Sequence, residues 1–143
     1  MKAVLMTVLA SVLLFASCQS APAPLSADAP SEIYFQRAQS ASDQNQFDEA
    51  LGIYRSFLQN RPDASHEDLF SARYEIALLL MKKGLDAEAQ TDFEGIIADY
   101  DNLDKSAGAP GWVKVLSQRK LQEIKDRTPK PKAEAPIPVT AAP

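Results

Sequence analysis

The stretch Ala72–Tyr100, ARYEIALLLMKKGLDAEAQTDFEGIIADY, constrains the fold more than any other part of the chain. Ile76, Ala77, Leu80 and Met81 recur at helical spacing before Gly84, and Ala89, Phe93, Ile96 and Ile97 do so after it. Lys82 and Lys83 suit the negative end of the first helix, Gly84 supplies a left-handed residue that closes it, and Asp86 and Glu88 open the second. The unit is an αα-hairpin with one apolar face. Such a hairpin cannot bury that face alone, so the neighbouring sequence must supply the rest of a core.

A second copy lies 39 residues upstream. There Tyr34 falls opposite Arg73, Ala38 opposite Ala77, Ala41 opposite Leu80 and Asn45 opposite Gly84. Asn is the residue after Gly most tolerant of a left-handed turn. Phe47-Asp48-Glu49-Ala50 follows the turn, Tyr54 repeats the aromatic position of Phe93, and Pro62 ends the unit. The same step forward reaches Trp112, Val115 and Leu116, and Pro129 stops that third helix without a partner. These positions resemble the tetratricopeptide repeat, whose period is about 34 residues. Its helix A large–small–bulky pattern is carried by Ile76, Ala77 and Leu80, its turn glycine by Gly84, and its helix B alanine and aromatic by Ala89 and Phe93. Arg73 and Asp86 stand where the pattern has aromatics, and Arg37 stands where it has an apolar residue. The expected fold is all-α: two repeat-like hairpins and a C-terminal capping helix, a short α-solenoid. Helices are expected over Ser31–Gln44, with Ser31 as N-cap, Asp48–Asn60, a third capped by Ser65 and ending at Lys83, Asp86–Tyr100, and Pro110–Arg127.

The ends of the chain have a different character. Lys2 followed by the apolar run Ala3–Phe15 is too short for an ordinary transmembrane helix, which needs about 20 residues, and fits a secretory signal. Leu14-Phe15-Ala16-Ser17-Cys18 resembles the lipobox of bacterial lipoproteins, in which the cysteine is acylated and becomes the first residue. The alternative is an ordinary signal peptide cut nearby. Cys18 is the single cysteine, so no intrachain disulfide can form. Gln19 after it, rather than Asp, favours the outer membrane by the same resemblance. Residues 18–30 then form a lipidated Pro/Ala-rich tether, whose segment Gln19–Pro30 reaches about 37 Å if extended. Residues 31–127 form the helical domain and 128–143 a Pro/Ala-rich tail, disordered by composition.

No catalytic motif is present. The only histidine, His66, is followed by Glu67 and Asp68, but adjacent helical residues point apart and no second histidine completes a metal site. No phosphate loop, nucleophile elbow or paired-histidine motif occurs. We therefore expect no enzyme activity, no cofactor and no metal. Net charge is −4, which disfavours nucleic acid. The charge is unevenly placed: Asp86, Glu88, Asp92, Glu94, Asp99, Asp101 and Asp104 come without a Lys or Arg between them. From Lys105 to Lys132 eight cations face only Glu123 and Asp126. Either the fourth and fifth helices screen each other or the contrast marks a docking surface.

The resemblance implies a concave groove lined by helix A residues that binds peptides or partner helices. Its positions fall on Glu32, Phe35, Gln39 and Asp43 in the first unit and on Tyr74, Leu78, Met81 and Lys82 in the second. Phe35, Tyr74, Leu78 and Met81 make an apolar strip suited to helix capture, unless the fifth helix or a tail covers them as ordinary core. The Tyr74–Ala77 and Phe93–Tyr100 stretches look like the repeat subtype of the outer-membrane assembly lipoprotein BamD and of the coordinator protein of the Tol-Pal system. That likeness implies a lipid-anchored, periplasm-facing adaptor for another cell-envelope protein. A pilotin-like carrier of a secretin or pilus subunit, or a non-catalytic subunit of an envelope enzyme, would fit the same features.

Overall fold

Two turns of the same geometry set the arrangement of the chain. Asn45 and Gly84 both take positive φ, 59° and 77°. After each, a backbone N–H reaches back across the last turn of the helix, Gln46 N to Ala41 O and Leu85 N to Leu80 O, both at 2.9 Å. This closes the helix with its last carbonyls satisfied. Gln46 and Leu85, again 39 residues apart, then start the next helix with nearly equal dihedrals, φ −83° ψ 62° and φ −88° ψ 58°. The repeat is therefore exact where the chain reverses.

The computed structural model describes residues 25–104 and 107–127. Cys18 and its lipobox, the tether as far as residue 24 and the tail 128–143 lie outside the described residues. Five helices follow in order: α1 Ser31–Asp43, α2 Phe47–Asn60, α3 His66–Lys82, α4 Asp86–Asn102 and α5 Gly111–Arg127. No strand occurs among the described residues. The fold is the expected all-α short solenoid. Ser65 caps α3 as its spacing predicts, accepting the Asp68 N–H at 3.1 Å. Ser31 does not cap α1. Pro30 takes the N-cap place at φ −57°, its carbonyl accepting the Ile33 N–H, and Ser31 is the first helical residue. Pro110 plays the same part before α5, accepting from Val113 N–H, so that helix begins at Gly111. A ring that fixes φ and a free carbonyl suffice to start both helices.

The helices form two layers. The packing partners are α1 with α2, α2 with α3, α3 with α4 and α4 with α5, whereas α1 and α5 only graze α3. Between the layers lie Ala38 and Ala41 of α1, Ala50, Tyr54 and Phe57 of α2, Ile76, Ala77 and Leu80 of α3, and Ala89, Phe93 and Ile96 of α4, all buried. Each large apolar side chain removed from water in this way stabilises by about 1.5–3 kcal/mol. The small residues let the helices approach while the aromatics fill the space, Tyr34 and Phe35 both packing against Phe57 at 5.5 and 5.4 Å.

Two expectations need correction. The segment read as tether is not tether throughout: Leu25 and Ala29 pack on the core. Tyr34 donates its hydroxyl proton to Ser26 O at 3.0 Å, and Arg61 donates to Ala29 O at 2.8 Å. The folded domain thus includes residues 25–30 as well as 31–127. In α5, Trp112, Val113, Leu116, Leu121 and Ile124 are expected to cover Phe93 and Ile97, yet Trp112 is 44% exposed, as is Val115 at 55%. Val113, Leu121 and Ile124 are buried as expected, together with Ser117. Burial of that stripe, spaced four, four and three residues apart, sets the phase of α5; the surface ion pairs with α4, Lys114 with Asp101 and Arg127 with Asp86, accompany it, and Trp112 comes to rest against Tyr74 of α3. Those pairs also show what the uneven charge does: the acidic fourth helix and basic fifth helix lie side by side.

Candidate binding groove

Because α1 and α5 lean on the second layer and scarcely on α3, one face of α3 remains uncovered between them. Ser71, Glu75, Leu78 and Lys82 fall on that face at spacings of four, three and four residues, none of them buried. On the α1 side Phe35 is half-buried, its ring edge-on to Tyr54 at 5.3 Å, and Gln39 and Asp43 are exposed. Lys82 bridges the gap, donating to Ser42 Oγ at 3.0 Å with its ammonium 5.7 Å from the Phe47 ring centre. On the α5 side a cleft of about 250 Å³ is lined by Leu78, Met81, Lys82, Lys120, Glu123 and Arg127. Nearer the start of α5, outside that lining, Trp112 sets its ring perpendicular to that of Tyr74 at 5.5 Å.

The structure sorts the expected groove residues into two groups. Phe35, Gln39, Asp43 and Leu78 are reachable from the groove, with Phe35 and Leu78 partly sunk into its walls. Tyr74 and Met81 are core: Tyr74 is 5% exposed and held between Phe93 and Trp112, and Met81 is 9% exposed. Tyr74 is covered from two sides, by Phe93 of α4 and by Trp112 where α5 reaches α3. Sequence reasoning missed three residues of the groove, Ser71, Glu75 and Trp112. The four-three-four spacing through Leu78 and Lys82 was the available signal for the first two.

The groove floor has its own electrostatics. Burial raises the Glu75 carboxyl above the ordinary carboxylate range, and Lys82 opposes the shift only in part. Burial, and next to it the Glu75 charge, raises the hydroxyl pKa of both Tyr54 and Tyr74. The Tyr54 hydroxyl is enclosed and meets no hydrogen-bond partner of good geometry, although the Gln39 amide is near enough to ease its ionisation. Toward α5 the sign changes, since Arg119 acts on Tyr74 and Lys120 donates to Glu123 at 2.8 Å. Such a surface has the parts to hold a polypeptide: an apolar centre, buried ring support and charged margins.

His66, the residue considered for a metal, is exposed at the first position of α3. Among the described residues no three His, Cys, Asp or Glu side chains cluster with metal-binding geometry, and no helix is long and apolar enough to cross a membrane.

Residues 32–64, comprising α1, α2 and the turn after them, match the tetratricopeptide repeat family. The match falls on the first hairpin, although the second carries the turn glycine. Tyr34 and Phe47 give the first unit the aromatics that Arg73 and Asp86 deny the second, and Pro62 ends it. No curated protein and no solved structure matched the chain. Repeats of this family are scaffolds for protein–protein interaction, and the two hairpins share that architecture.

Proposed function

We propose that this chain is a lipid-anchored, periplasm-facing adaptor that binds another cell-envelope protein through the groove between α1, α3 and α5, without catalysis of its own. The observation that carries the binding role is Trp112. A large aromatic side chain, 44% exposed, rests edge-on against buried Tyr74 of α3. Rigidly supported tryptophans of this kind dominate the energetics of protein interfaces. The envelope location rests on the apolar run before Cys18 and on the small residues Ala16 and Ser17 that precede it. Two or more acyl chains on that cysteine give lasting attachment, since each buried methylene contributes about 0.8 kcal/mol.

Two measurements test the parts separately. Tagged wild-type protein and a Leu78→Asp variant are used as bait on detergent-solubilised envelopes, with Glu94→Arg on the outer face of α4 as control. The reading expects a partner retained by wild type and control and lost from Leu78→Asp; equal retention by all three refutes the groove. For the anchor, Cys18→Ala should leave the membrane fraction, and the wild-type mature mass should include lipid. A Cys18→Ala protein that still sediments with the outer membrane, or a wild-type mass without acyl groups, refutes it.

A further inference from the structure

The adaptor reading leaves open what kind of segment the groove accepts, and the floor on its α1 side bears on this. Glu75 is half-buried there, on the uncovered face of α3, and forms no ion pair among the described residues. Lys82 acts on it only from two turns along the helix and is itself engaged, donating to Ser42 Oγ and lying over the Phe47 ring. Beside Glu75 is a second unmet group. Tyr54 is 1% exposed, and its hydroxyl, close to Gln39 and Glu75, has no hydrogen-bond partner of good geometry. An enclosed hydroxyl without a partner is costly, and so is a carboxylate drawn out of water without a cation. The α1 side of the groove supplies no cation of its own: its positions are Glu32, Phe35, Gln39 and Asp43. The cations of α5 are occupied elsewhere, Lys120 with Glu123, Arg127 with Asp86, and Arg119 beside Tyr74.

Resting on the adaptor reading, we infer that the α1–α3 floor of the groove takes a basic side chain, lysine or arginine, from an amphipathic segment of the partner protein. Its aliphatic stem lies between half-buried Phe35 and Leu78. Its charged head meets the Glu75 carboxylate and the Gln39 amide oxygen, next to the Tyr54 hydroxyl. A long cationic side chain suits such a place, because its stem is apolar and its head keeps its charge. Exposed Glu32 and Asp43 on α1 add to the same field, and complementarity of this kind sets the choice of partner and the rate of capture more than the final affinity. The chain's own tail is the poorer occupant. It starts at Arg127, on the α5 side of α3 among Lys82 and Lys120, which oppose its Lys130 and Lys132.

The probes are two dye-labelled synthetic amphipathic helices with one apolar pattern, one carrying Lys and the other Glu on the polar face, titrated with the full-length protein by fluorescence anisotropy. Wild type should bind the Lys peptide at least roughly tenfold more tightly than the Glu peptide. Glu75→Gln keeps the shape of the side chain and should weaken the Lys peptide at least roughly tenfold. Glu94→Gln, the same loss of charge on the outer face of α4, should change it by less than about twofold. Gln39→Lys places an ammonium at an exposed α1 position beside Glu75 and should block the Lys peptide as Glu75→Gln does. Preserved far-UV spectra and melting temperatures are the check on folding. Equal losses in Glu75→Gln and Glu94→Gln would reduce the effect to net charge and overturn the inference while leaving the adaptor reading intact. Wild-type affinity in Glu75→Gln or Gln39→Lys, or no preference for the Lys peptide, would do the same. A Lys130→Ala/Lys132→Ala protein that binds the Lys peptide at least roughly tenfold more tightly than wild type would make the tail the occupant. Affinity that falls as protein concentration rises would make it a second copy, and either result also overturns the inference. If neither peptide binds, the inference fails, and the adaptor reading falls with it only if Leu78→Asp also leaves partner capture unchanged.

Discussion

Tyr74→Ala and Leu78→Ala, one turn apart on α3, should have opposite consequences. Tyr74 is 5% exposed, its ring 5.8 Å from Phe93 and 5.5 Å from Trp112. Truncating it removes an aromatic side chain of about 150–250 Å² and two edge contacts worth about 0.5–1.5 kcal/mol each. It also leaves a cavity where α3, α4 and α5 meet, so the cost should be about 3–5 kcal/mol. In a domain of this size each kcal/mol moves the midpoint by about 4–8 °C, so the melt should fall by at least about 12 °C. Trp112 emission should move to the red as the ring loses its support. Leu78 is only partly buried on the groove face, and its truncation should cost about 1 kcal/mol while weakening partner capture. Tyr74→Phe keeps the ring and should stay within about 1 kcal/mol of wild type. Thermal melts followed by circular dichroism at 222 nm distinguish the three. A Tyr74→Ala protein melting within about 4 °C of wild type, or a Leu78→Ala protein losing as much as Tyr74→Ala, would refute the assignment of Tyr74 to the core and Leu78 to the groove.

The turns, the N-terminal clip and the groove floor give further tests. Gly84→Ala places a side chain at φ 77° with nothing within 4 Å of the added Cβ, so the loss of about 1–2 kcal/mol in chemical denaturation should be backbone strain alone; Asn45→Gly should be neutral or stabilising. Tyr34→Phe removes the donor to Ser26 O and the acceptor of the Asn60 amide at 3.2 Å, at a cost of about 1–2 kcal/mol and with faster proteolysis before residue 31. Glu75 has a raised folded-state pKa, so the native state holds its proton to higher pH than the unfolded chain does. Its contribution to stability is therefore greatest at acid pH and declines as pH rises from the ordinary value of 4.5 through the folded value. Glu75→Gln should remove that decline and be at least as stable as wild type at neutral pH, measured by urea titration across the range; an unchanged decline would show that another group causes it.

The turns were legible because their cause is local. A left-handed residue after a cationic or polar helix end is written in three or four positions, and Asn45 and Gly84 are placed as their chemistry requires. The core positions of α3 and α4 were legible for the same reason, since helical periodicity fixes which residues share a face. What could not be read is the rotation of one helix against another. In α5 the stripe Val113, Ser117, Leu121 and Ile124 turns inward, while Trp112 beside Val113 stays largely exposed and rests on Tyr74 of α3. That contact joins residues 38 positions apart, and no local pattern shows it. The clip at residues 25–30 was hidden for a different reason: Pro/Ala composition marks flexible tethers, and here specific hydrogen bonds from Tyr34 and Arg61 hold it down.

The size of the groove limits the kind of adaptor this can be. Its first layer has three helices, and neighbouring axes at about 8–10 Å make a surface about 16–20 Å across. The 17 residues of α3 make it about 25 Å long. Among the described residues both of its ends are covered: Leu25 and Ala29 pack on the core at one, and at the other α5 turns outward a side that is polar except for Val115, as capping helices in solenoids do. A surface of about 400–500 Å² falls short of the roughly 800 Å² per partner of a stable interface. Affinity from contacts alone should then be modest and concentrated on Trp112 and Leu78. An anchor at Cys18 would make up the difference, because holding adaptor and partner at one membrane raises their effective concentration without any new contact. On the proposed anchoring at Cys18, residues 25–127 made without that cysteine should therefore bind the same partner at the same residues but markedly more weakly in a reconstituted vesicle assay. Equal binding by anchored and free protein would mean that the partner contacts more of this molecule than the groove.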